Sequence, residues 1–188
     1  MAVHGIRDFY GQVVKSQLLR DFNFRLRSIN TDALTLTSEE IIYATSTQLP
    51  ARTIANHQQP FMGMNLNYAG SNQYEGSDSY QITFFMDENG SMRQKLERAS
   101  RTIFNDAYST GDYRVPGLDN RITLSLIDPK LEPIVTYTLV GAQFRNIGAI
   151  EFDYLGGTGA LVRCDCSIAY QWYETSDSSD LVNVASGS

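Results

Sequence analysis

Two carboxylates near the C-terminal end come closest to a catalytic arrangement. Glu151 and Asp153 stand two positions apart in a segment that alternates apolar and polar residues, so a strand would place both on one face. Two acids held that close can take different pKa values and divide acid and base work between them. The simpler interpretation, which the sequence favours, is that both point at water opposite Ile150, Phe152 and Tyr154.

The cysteines and histidines do not supply further chemistry. Cys164 and Cys166 lie two apart in a predicted strand, where two small thiols fit an apolar row. A metal site needs more ligands, and the two histidines, His4 and His57, are remote in sequence. A nucleophilic site would need a histidine near a serine or cysteine and a carboxylate, and neither histidine has that context. We therefore predict no catalytic, metal or cofactor site.

Gly156-Gly157-Thr158-Gly159 is a glycine-rich cluster that superficially resembles a phosphate-binding loop. In such a loop, backbone amides approach the phosphate and a helix follows. Here the following residues, 160–174, alternate like a strand. The sequence therefore favours a hairpin turn over a phosphate site.

The chain of 188 residues has a formal net charge of −6, most of it in the C-terminal part. From residue 147 onwards, six acids stand against one base. Affinity for phosphate backbones comes from Lys and Arg that displace counterions, so a chain without a basic stripe is a poor nucleic-acid binder. No apolar run reaches the roughly 20 residues needed to span a bilayer, and the N-terminus lacks the pattern of a secretion signal. We expect synthesis in a cytoplasm-like compartment.

Alternation of apolar and polar residues predicts a mainly β domain. Four strand-like segments follow one another at 119–129, 132–144, 146–155 and 160–174. The last is the clearest, because its period of two is sustained over eleven residues. Earlier strands are predicted at 21–29 and 80–86.

Two helices are predicted to flank these strands. The first, at about 6–19, has an apolar stripe that covers either the domain's own sheet or a neighbouring subunit. In the second, Ser91 and Gln94 have the spacing of a capping box. Its apolar stripe is formed by Met92, Leu96, Ala99 and Ile103. Its basic residues are predicted to face solvent.

The region 51–79 is predicted to be a long hairpin-like excursion. A polar linker at 51–59 precedes an alternating row, and 70–79 is predicted to be a polar tip. The row consists of Met62, Met64, Leu66 and Tyr68. A tip of about ten residues without regular structure is usually a binding element or a mobile one.

The most specific signal is a set of short motifs between residues 136 and 174. The positions concerned are 136–139, Gly141, Ala142, Phe144, Asn146, Gly148, Ile150, Phe152, Asp153, Tyr170, Trp172 and Glu174. This pattern resembles the tail tube proteins of contractile-tailed bacteriophages, a family shared with related contractile injection systems. The resemblance touches most of 21–174, including the helical run MRQKLER at 92–98. The chain departs from the family at Arg145, where proline is usual, and in the greater length of its tail.

The resemblance implies one tube-type β domain at 1–174, which includes the N-terminal helix, and a flexible polar tail at 175–188. The implied fold is mainly β (α+β), with two packed antiparallel sheets that form a sandwich or barrel beside a flanking α-helix. Six copies would form a ring whose inner strands join into one barrel. Stacked rings would form the hollow inner tail tube, a conduit for DNA and ejected proteins inside a contractile sheath.

The protein would then be a structural subunit of the virion tail, with no enzymatic activity and no cofactor, made in the host bacterial cytoplasm. Its implied partners are other copies of itself, the tail sheath protein and baseplate tube-initiating proteins. The tape measure protein and genomic DNA would occupy the lumen, without specific DNA binding, and no membrane would be involved. Stacking would give the excursion a partner in the next ring. The candidate inter-ring residues are Arg52, Met62, Met64, Tyr68, Tyr74 and Glu75.

The negative charge has a possible purpose in such a tube. Six copies at −6 each carry −36 per ring, and a lumen that repels phosphate lets DNA pass without sticking. We predict that some of Glu151, Asp153 and Asp165 line the lumen or the ring junction. Acids that serve only solubility are an equally open explanation.

Two other functions stay open. The first is a baseplate tube-initiator or tube-cap protein of the same fold. The second belongs to a different class, a non-assembling β-sandwich that binds a small ligand or peptide. That function would require a concave apolar pocket with converging polar groups.

Overall fold

Two antiparallel sheets that share one core make up most of the structure, a computed structural model that describes residues 5–15, 18–157 and 159–176. The helices are α1 (Ile6–Lys15), α2 (Ser38–Ile41) and α3 (Ser91–Ile103). The first strands are β1 (Phe24–Thr31), β2 (Leu34–Thr35), β3 (Ala44–Thr47), β4 (Thr53–Phe61), β5 (Met64–Gln73) and β6 (Tyr80–Phe85). The later strands are β7 (Phe104–Asn105), β8 (Thr110–Gly111), β9 (Arg121–Ile127), β10 (Pro133–Val140), β11 (Gln143–Ile147), β12 (Arg163–Ala169) and β13 (Trp172–Ser176).

The larger sheet has five strands in the order β13-β10-β9-β1-β2, and the smaller has four in the order β11-β12-β6-β3. All of these neighbours are antiparallel. Strands β4 and β5 form a separate two-stranded ribbon, as do β7 and β8. The predicted fold class, mainly β with two packed antiparallel sheets and a flanking helix, is confirmed.

The core lies between the sheets and under α3. Strand β9 contributes Ile122 and Leu124, and β6 contributes Ile82 and Phe84, all four fully buried. Their spacing of two follows from the pleat, which turns alternate side chains to the same face. Helix α3 adds three of the four residues of its predicted stripe, Met92, Leu96 and Ala99, while Ile103 is half-buried.

The second and fourth predicted segments are not single strands, because each crosses from one sheet to the other. Strand β10 of the five-stranded sheet continues as β11 of the four-stranded sheet, and β12 returns as β13. These four strands form one long antiparallel hairpin, here called the bent ribbon. At the bend, Gly141 has a φ of 66°, which favours glycine, and the Gln171 N–H donates to the Val140 carbonyl oxygen at 3.0 Å.

The third predicted segment is wrong beyond its first two residues. After β11 the described residues 148–157 and 159–162 form a loop instead of a strand, here called the 148–162 loop. Gly148 makes one last bond, from its N–H to the Asp165 carbonyl oxygen at 2.7 Å. Further on, the Asp153 carboxylate accepts the N–H groups of Leu155 at 2.9 Å and Gly156 at 3.0 Å. Such a local turn competes with strand pairing.

Helix α1 does not cover the domain's own sheets. The predicted helix is present, but it ends at Lys15; residues 16–17 lie outside the described part, and 18–20 are not helical. Its apolar side chains remain exposed, with 85% of Ile6 and 65% of Phe9 open to solvent. Of the two explanations for the apolar stripe, cover for the own sheet is excluded.

Helix α3 begins where predicted, but its cap differs from the prediction. Gly90 is the cap residue, and the Asp87 carboxylate accepts the N–H groups of Ser91 at 3.0 Å and Met92 at 2.9 Å. The basic residues do not all face solvent. Arg93 pairs with Glu97 at 2.7 Å and also donates to a loop carbonyl oxygen, and Lys95 pairs with Glu40 of α2.

We predict that Asp87→Ala will lower the free energy of unfolding by about 1 kcal/mol, the usual cost of losing a helix-capping acceptor. The hydrogen bond from the Met92 N–H, with those from Ser91, holds the pKa of Asp87 below its ordinary 3.8. The carboxylate therefore contributes stability above pH 3.8, and this contribution is lost as the pH falls through the lowered pKa. Urea unfolding at pH 7 and in acid measures both effects.

The control for this substitution is Glu88→Ala, which removes the exposed neighbouring carboxylate. We expect a change within about 0.5 kcal/mol. Equal losses from the two variants would show that the helix cap does not carry the effect.

The end of the domain lies slightly beyond the predicted boundary. Strand β13 includes Thr175 and Ser176, both assigned to the tail by the sequence. The rest of the predicted flexible tail, 177–188, lies outside the described residues.

Candidate assembly surfaces

The hairpin formed by β4 and β5 is the clearest candidate surface. Its two strands pair only with each other, so the predicted excursion is a true hairpin. The tip was predicted at 70–79, but the turn is at Met62 and Gly63, with φ values of 49° and 80°. Two consecutive residues of positive φ match the twist of a tight hairpin. The predicted linker at 51–59 is mostly β4, and 70–73 belongs to β5.

The register gives this hairpin two chemically different faces. Cross-strand partners share a face, and successive residues alternate between faces. The apolar face carries Phe61 opposite Met64, Leu66 opposite Gln59, and Tyr68 opposite His57. The amide face carries Asn56, Gln58, Asn65 and Asn67, together with Pro60 and Ala69. No Asp, Glu, Lys or Arg occurs between residues 53 and 74. Burying either face against another chain would therefore not require a formally charged side chain to be removed from water.

The apolar face has no cover in the single chain. The exposed fractions are 59% for Phe61, 90% for Met62 at the turn, 64% for Met64 and 51% for Tyr68. A lone two-stranded hairpin is at best marginally stable in water, and a contiguous exposed apolar patch usually marks an interaction site. We infer that this face is a contact surface.

Three of the predicted inter-ring residues lie at the base of the hairpin, where Arg52 and Glu75 join its two strand ends and Tyr74 packs against the domain. Arg52 donates to the Asn72 side-chain oxygen at 3.1 Å, and the Thr53 hydroxyl donates to Glu75 at 3.4 Å. The ring of Tyr74 packs edge-on against Tyr173, with a centroid distance of 5.4 Å, and against Tyr170 at 6.4 Å. The exposed apolar members of the predicted set are Met62, Met64 and Tyr68, while Arg52 and Glu75 are exposed and Tyr74 is half-buried.

The three candidate acids do not share one strand. Asp165 lies in β12 with its side chain outward, and it accepts the Thr83 hydroxyl at 2.6 Å. Glu151 and Asp153 lie in the 148–162 loop, so the expectation that they share one strand face is wrong. The two backbone N–H groups that Asp153 accepts, from Gly156 and Leu155, lower its pKa. Its carboxylate therefore stabilises the turn.

The thiols are structural. Cys164 and Cys166 are both free and fully buried, as the strand pattern predicted. Burial raises the pKa of Cys166, and the neighbouring Cys164 raises it further. The Cys164 sulfur lies 3.2 Å from the Arg93 guanidinium. Among the residues that the structure describes, no group of three or more His, Cys, Asp or Glu side chains is arranged to hold a metal ion.

Both main sheets end in strands with one unpaired side in the single chain. These edges are β11 and β3 in the four-stranded sheet and β13 and β2 in the five-stranded sheet. An open edge presents N–H and C=O groups that readily pair with another chain.

No helix in the described ranges is long and apolar enough to cross a membrane.

The 148–162 loop is the surface that the sequence patterns did not reveal. Three of its large apolar residues are almost fully open to solvent, with exposed fractions of 80% for Phe152, 101% for Tyr154 and 97% for Leu155, whereas Ile150 packs against the core. Their alternation with polar residues indicated a strand that buries one face. Only the neighbouring glycine cluster gave any signal of a loop.

No protein-family model and no curated protein matches the chain. Among solved structures, a chain of the six-fold symmetrised anti-feeding prophage baseplate is similar, with a TM-score of 0.60 and 13% identity over 85% of this chain and 96% of that one. A chain of the anti-feeding prophage tube-terminating cap has a TM-score of 0.58 and 12% identity over 87% and 93%. A chain of the sheath-tube complex of an extracellular contractile injection system, in its extended state, has a TM-score of 0.54 and 12% identity over 88% and 95%.

At these identities the likeness shows the fold, and it confirms the fold expected from the resemblance to tail tube proteins.

Proposed function

We propose that the chain is a structural subunit that assembles into hexameric rings, stacked as the hollow inner tube of a contractile tail. The observation that carries this proposal is the fold, shared over 85 to 88% of the chain with components of contractile injection assemblies. The tube conducts DNA and ejected proteins, lies inside the sheath and starts on baseplate proteins. The tape measure protein and DNA occupy its lumen, and its place is the virion tail.

The surfaces of the single chain support this role. In a closed ring, the open edge of one sheet pairs with the edge of the neighbouring copy, which removes an aggregation hazard. The exposed apolar stripe of α1 then gains a neighbouring copy to pack against. The uncharged hairpin leaves the domain as a separate ribbon and suits contact with the next ring.

The lumen is expected to repel DNA. In the outward row of β12 in the four-stranded sheet, Asp165 lies beside Arg163, so the repulsion expected of the wall depends on the chain's net charge of −6. Glu151 and Asp153 lie in a loop at the edge of this sheet, so we assign them to the ring junction. A structure of the assembly that places all three acids on the outer wall would contradict this assignment.

A baseplate initiator or tube cap is the second candidate, because two of the similar structures are a baseplate and a cap. The two functions differ in how far the rings grow. A tube subunit adds rings without limit, whereas an initiator or cap stops at a ring or a short stack.

Negative-stain electron microscopy of the purified protein tests the proposal. We expect six-fold rings and hollow tubes whose length increases with protein concentration. Rings that never lengthen would favour the initiator or cap. A monodisperse monomer at high concentration would contradict assembly and favour the non-assembling ligand-binding sandwich.

A further inference from the structure

An apolar cavity of about 800 Å³ lies between the N-terminus of α3 and the 148–162 loop. Its apolar lining includes Met86, Ile150, Phe152, Leu161 and Val162. Phe152 and Leu161 are 80% and 75% exposed, so the cavity opens to solvent. No residue in the described part of the chain fills it.

Three charged residues line this cavity, and two of them, Asp87 and Arg93, already have partners within the chain, while Glu88 is exposed at its rim. Asp87 accepts the first N–H groups of α3, and Arg93 pairs with Glu97 at 2.7 Å. A charged ligand would therefore gain no free partner from these two residues. An uncharged apolar occupant could enter without separating either charge from its partner. Such an occupant therefore matches the cavity better than a charged ligand does.

The cavity and the hairpin lie at opposite ends of the four-stranded sheet. The hairpin is attached at the end where β6 begins, because the Tyr80 hydroxyl contacts Thr47 at 2.8 Å and the chain enters the hairpin shortly afterwards. The cavity is at the end where β6 stops, where the Met86 N–H donates to the Val162 carbonyl oxygen at 3.0 Å. The six residues of β6 separate the two ends by roughly 20 Å.

A projection at one end and a cavity at the opposite end allow one copy to dock on the next copy in the same orientation. Such a pair forms a heterologous, head-to-tail contact that repeats from copy to copy. The hairpin tip is apolar and lies in a stretch without formal charge, and Met62 at its turn is 90% exposed. It matches the cavity in polarity, and it is not inserted into its own chain.

We propose that the hairpin tip of one copy, formed by Phe61, Met62 and Met64, inserts into the cavity beside α3 of a copy in the next ring. This inference rests on the proposed tube function and names the receiving site of each stacking contact. The exposed apolar residues of the 148–162 loop line the mouth of that site. The exposed apolar side chains of this loop, where a strand was wrongly predicted, would then contact the hairpin tip of a neighbouring copy.

Disulfide trapping tests the proposal. The double variant Met62→Cys with Leu161→Cys places one thiol at the tip and one at the cavity mouth. Disulfides form only when the two Cα atoms come within about 7 Å, and both native thiols are fully buried. Under mild oxidation of assembled protein we expect a ladder of covalent multimers on non-reducing gels. Each single variant can form dimers at most.

Two further pairs serve as matched controls. Met62→Cys with Tyr113→Cys keeps the tip thiol and moves its partner to a residue that is 86% exposed outside the cavity. Ile6→Cys with Leu161→Cys asks whether the exposed helix α1 occupies the cavity instead. We expect no ladder from either pair.

The outcomes separate this inference from the proposed function. Tubes without a Met62–Leu161 ladder would overturn the docking and leave the tube function standing, with the cavity left to another occupant such as a small apolar ligand. A ladder from the Ile6 pair would assign the cavity to α1 of a neighbour and also overturn it. Failure of the unmodified protein to assemble would overturn the tube function and the docking together.

Discussion

Replacing Phe84 with alanine will lower the free energy of unfolding by about 3–5 kcal/mol. Phe84 is fully buried in β6, between Cys164 of β12 and Ala44 of β3. The substitution removes the transfer energy of a phenyl ring and leaves a cavity among side chains that cannot fully collapse. Domains typically have a free energy of unfolding of about 5–15 kcal/mol, so the variant will lose a large part of its total stability. Urea unfolding monitored by circular dichroism measures the loss.

The control makes the same change on the surface. Phe152→Ala removes a phenyl ring that is 80% exposed in the single chain, and we expect a change within about 0.5 kcal/mol in the unassembled protein. A Phe84→Ala loss as small as that of Phe152→Ala would mean that the two sheets do not pack through β6 as described.

Making the apolar face of the hairpin polar will prevent tube growth while leaving the subunit folded. The variant changes Phe61, Met64 and Tyr68 to asparagine, and all three are more than half exposed in the single chain. Full burial of such a side chain contributes about 1.5–3 kcal/mol. Even a partial loss of this burial energy at three positions exceeds about 3 kcal/mol for each hairpin. This corresponds to a decrease of more than about a hundredfold in the association constant between rings.

The matched variant changes the other face of the same hairpin, with Gln58, Asn65 and Asn67 replaced by alanine. Here we expect tubes to form as in the unmodified protein. Sedimentation measures the fraction in tubes, and circular dichroism confirms that both variants fold. Equal loss of tubes from the two faces would show that the hairpin acts only as a spacer. Normal tubes from the apolar-face variant would remove the hairpin from the stacking contact.

The elements that could be predicted from the sequence are those whose side chains divide between core and solvent. Helix α3 and strands β6 and β9 bury one stripe or face each, and the period is visible in the residues. Strand β4 was missed because both of its faces are exposed and because it contains Asn56 and Pro60, which are poor strand formers. The strand conformation of β4 depends on its pairing with β5, and such pairing cannot be read from the residue types of one strand alone.

The bends of the bent ribbon could not be predicted because alternation continues through them. Ala142 and Tyr170 are buried on either side of the crossing, so the apolar pattern shows no break where the chain changes sheets. Only Gly141 marked the point. A side chain there would place its Cβ 2.7 Å from the Gln171 Cγ.

The one internal departure from the family pattern lies at a defect in the strand ladder. The pairing of β11 with β12 shifts between Phe144 and Asn146, so Arg145 occupies the bulge. A bulge is one of the few places in a sheet that tolerates proline, which explains why either residue fits. In this chain the Arg145 guanidinium donates to the Asp78 carbonyl oxygen at 3.0 Å and ties the bulge to the segment before β6.

The bent ribbon also determines how the subunit carries mechanical load. In a sandwich whose layers touch only through side chains, a pull on one layer is resisted by packing alone, and the layers can shear apart. Within the bent ribbon the backbone itself passes directly from layer to layer twice, through Gly141 and through Tyr170 and Gln171. A force applied to β13 reaches β12 along covalent bonds, so tension on one wall of the subunit is shared at once by the other.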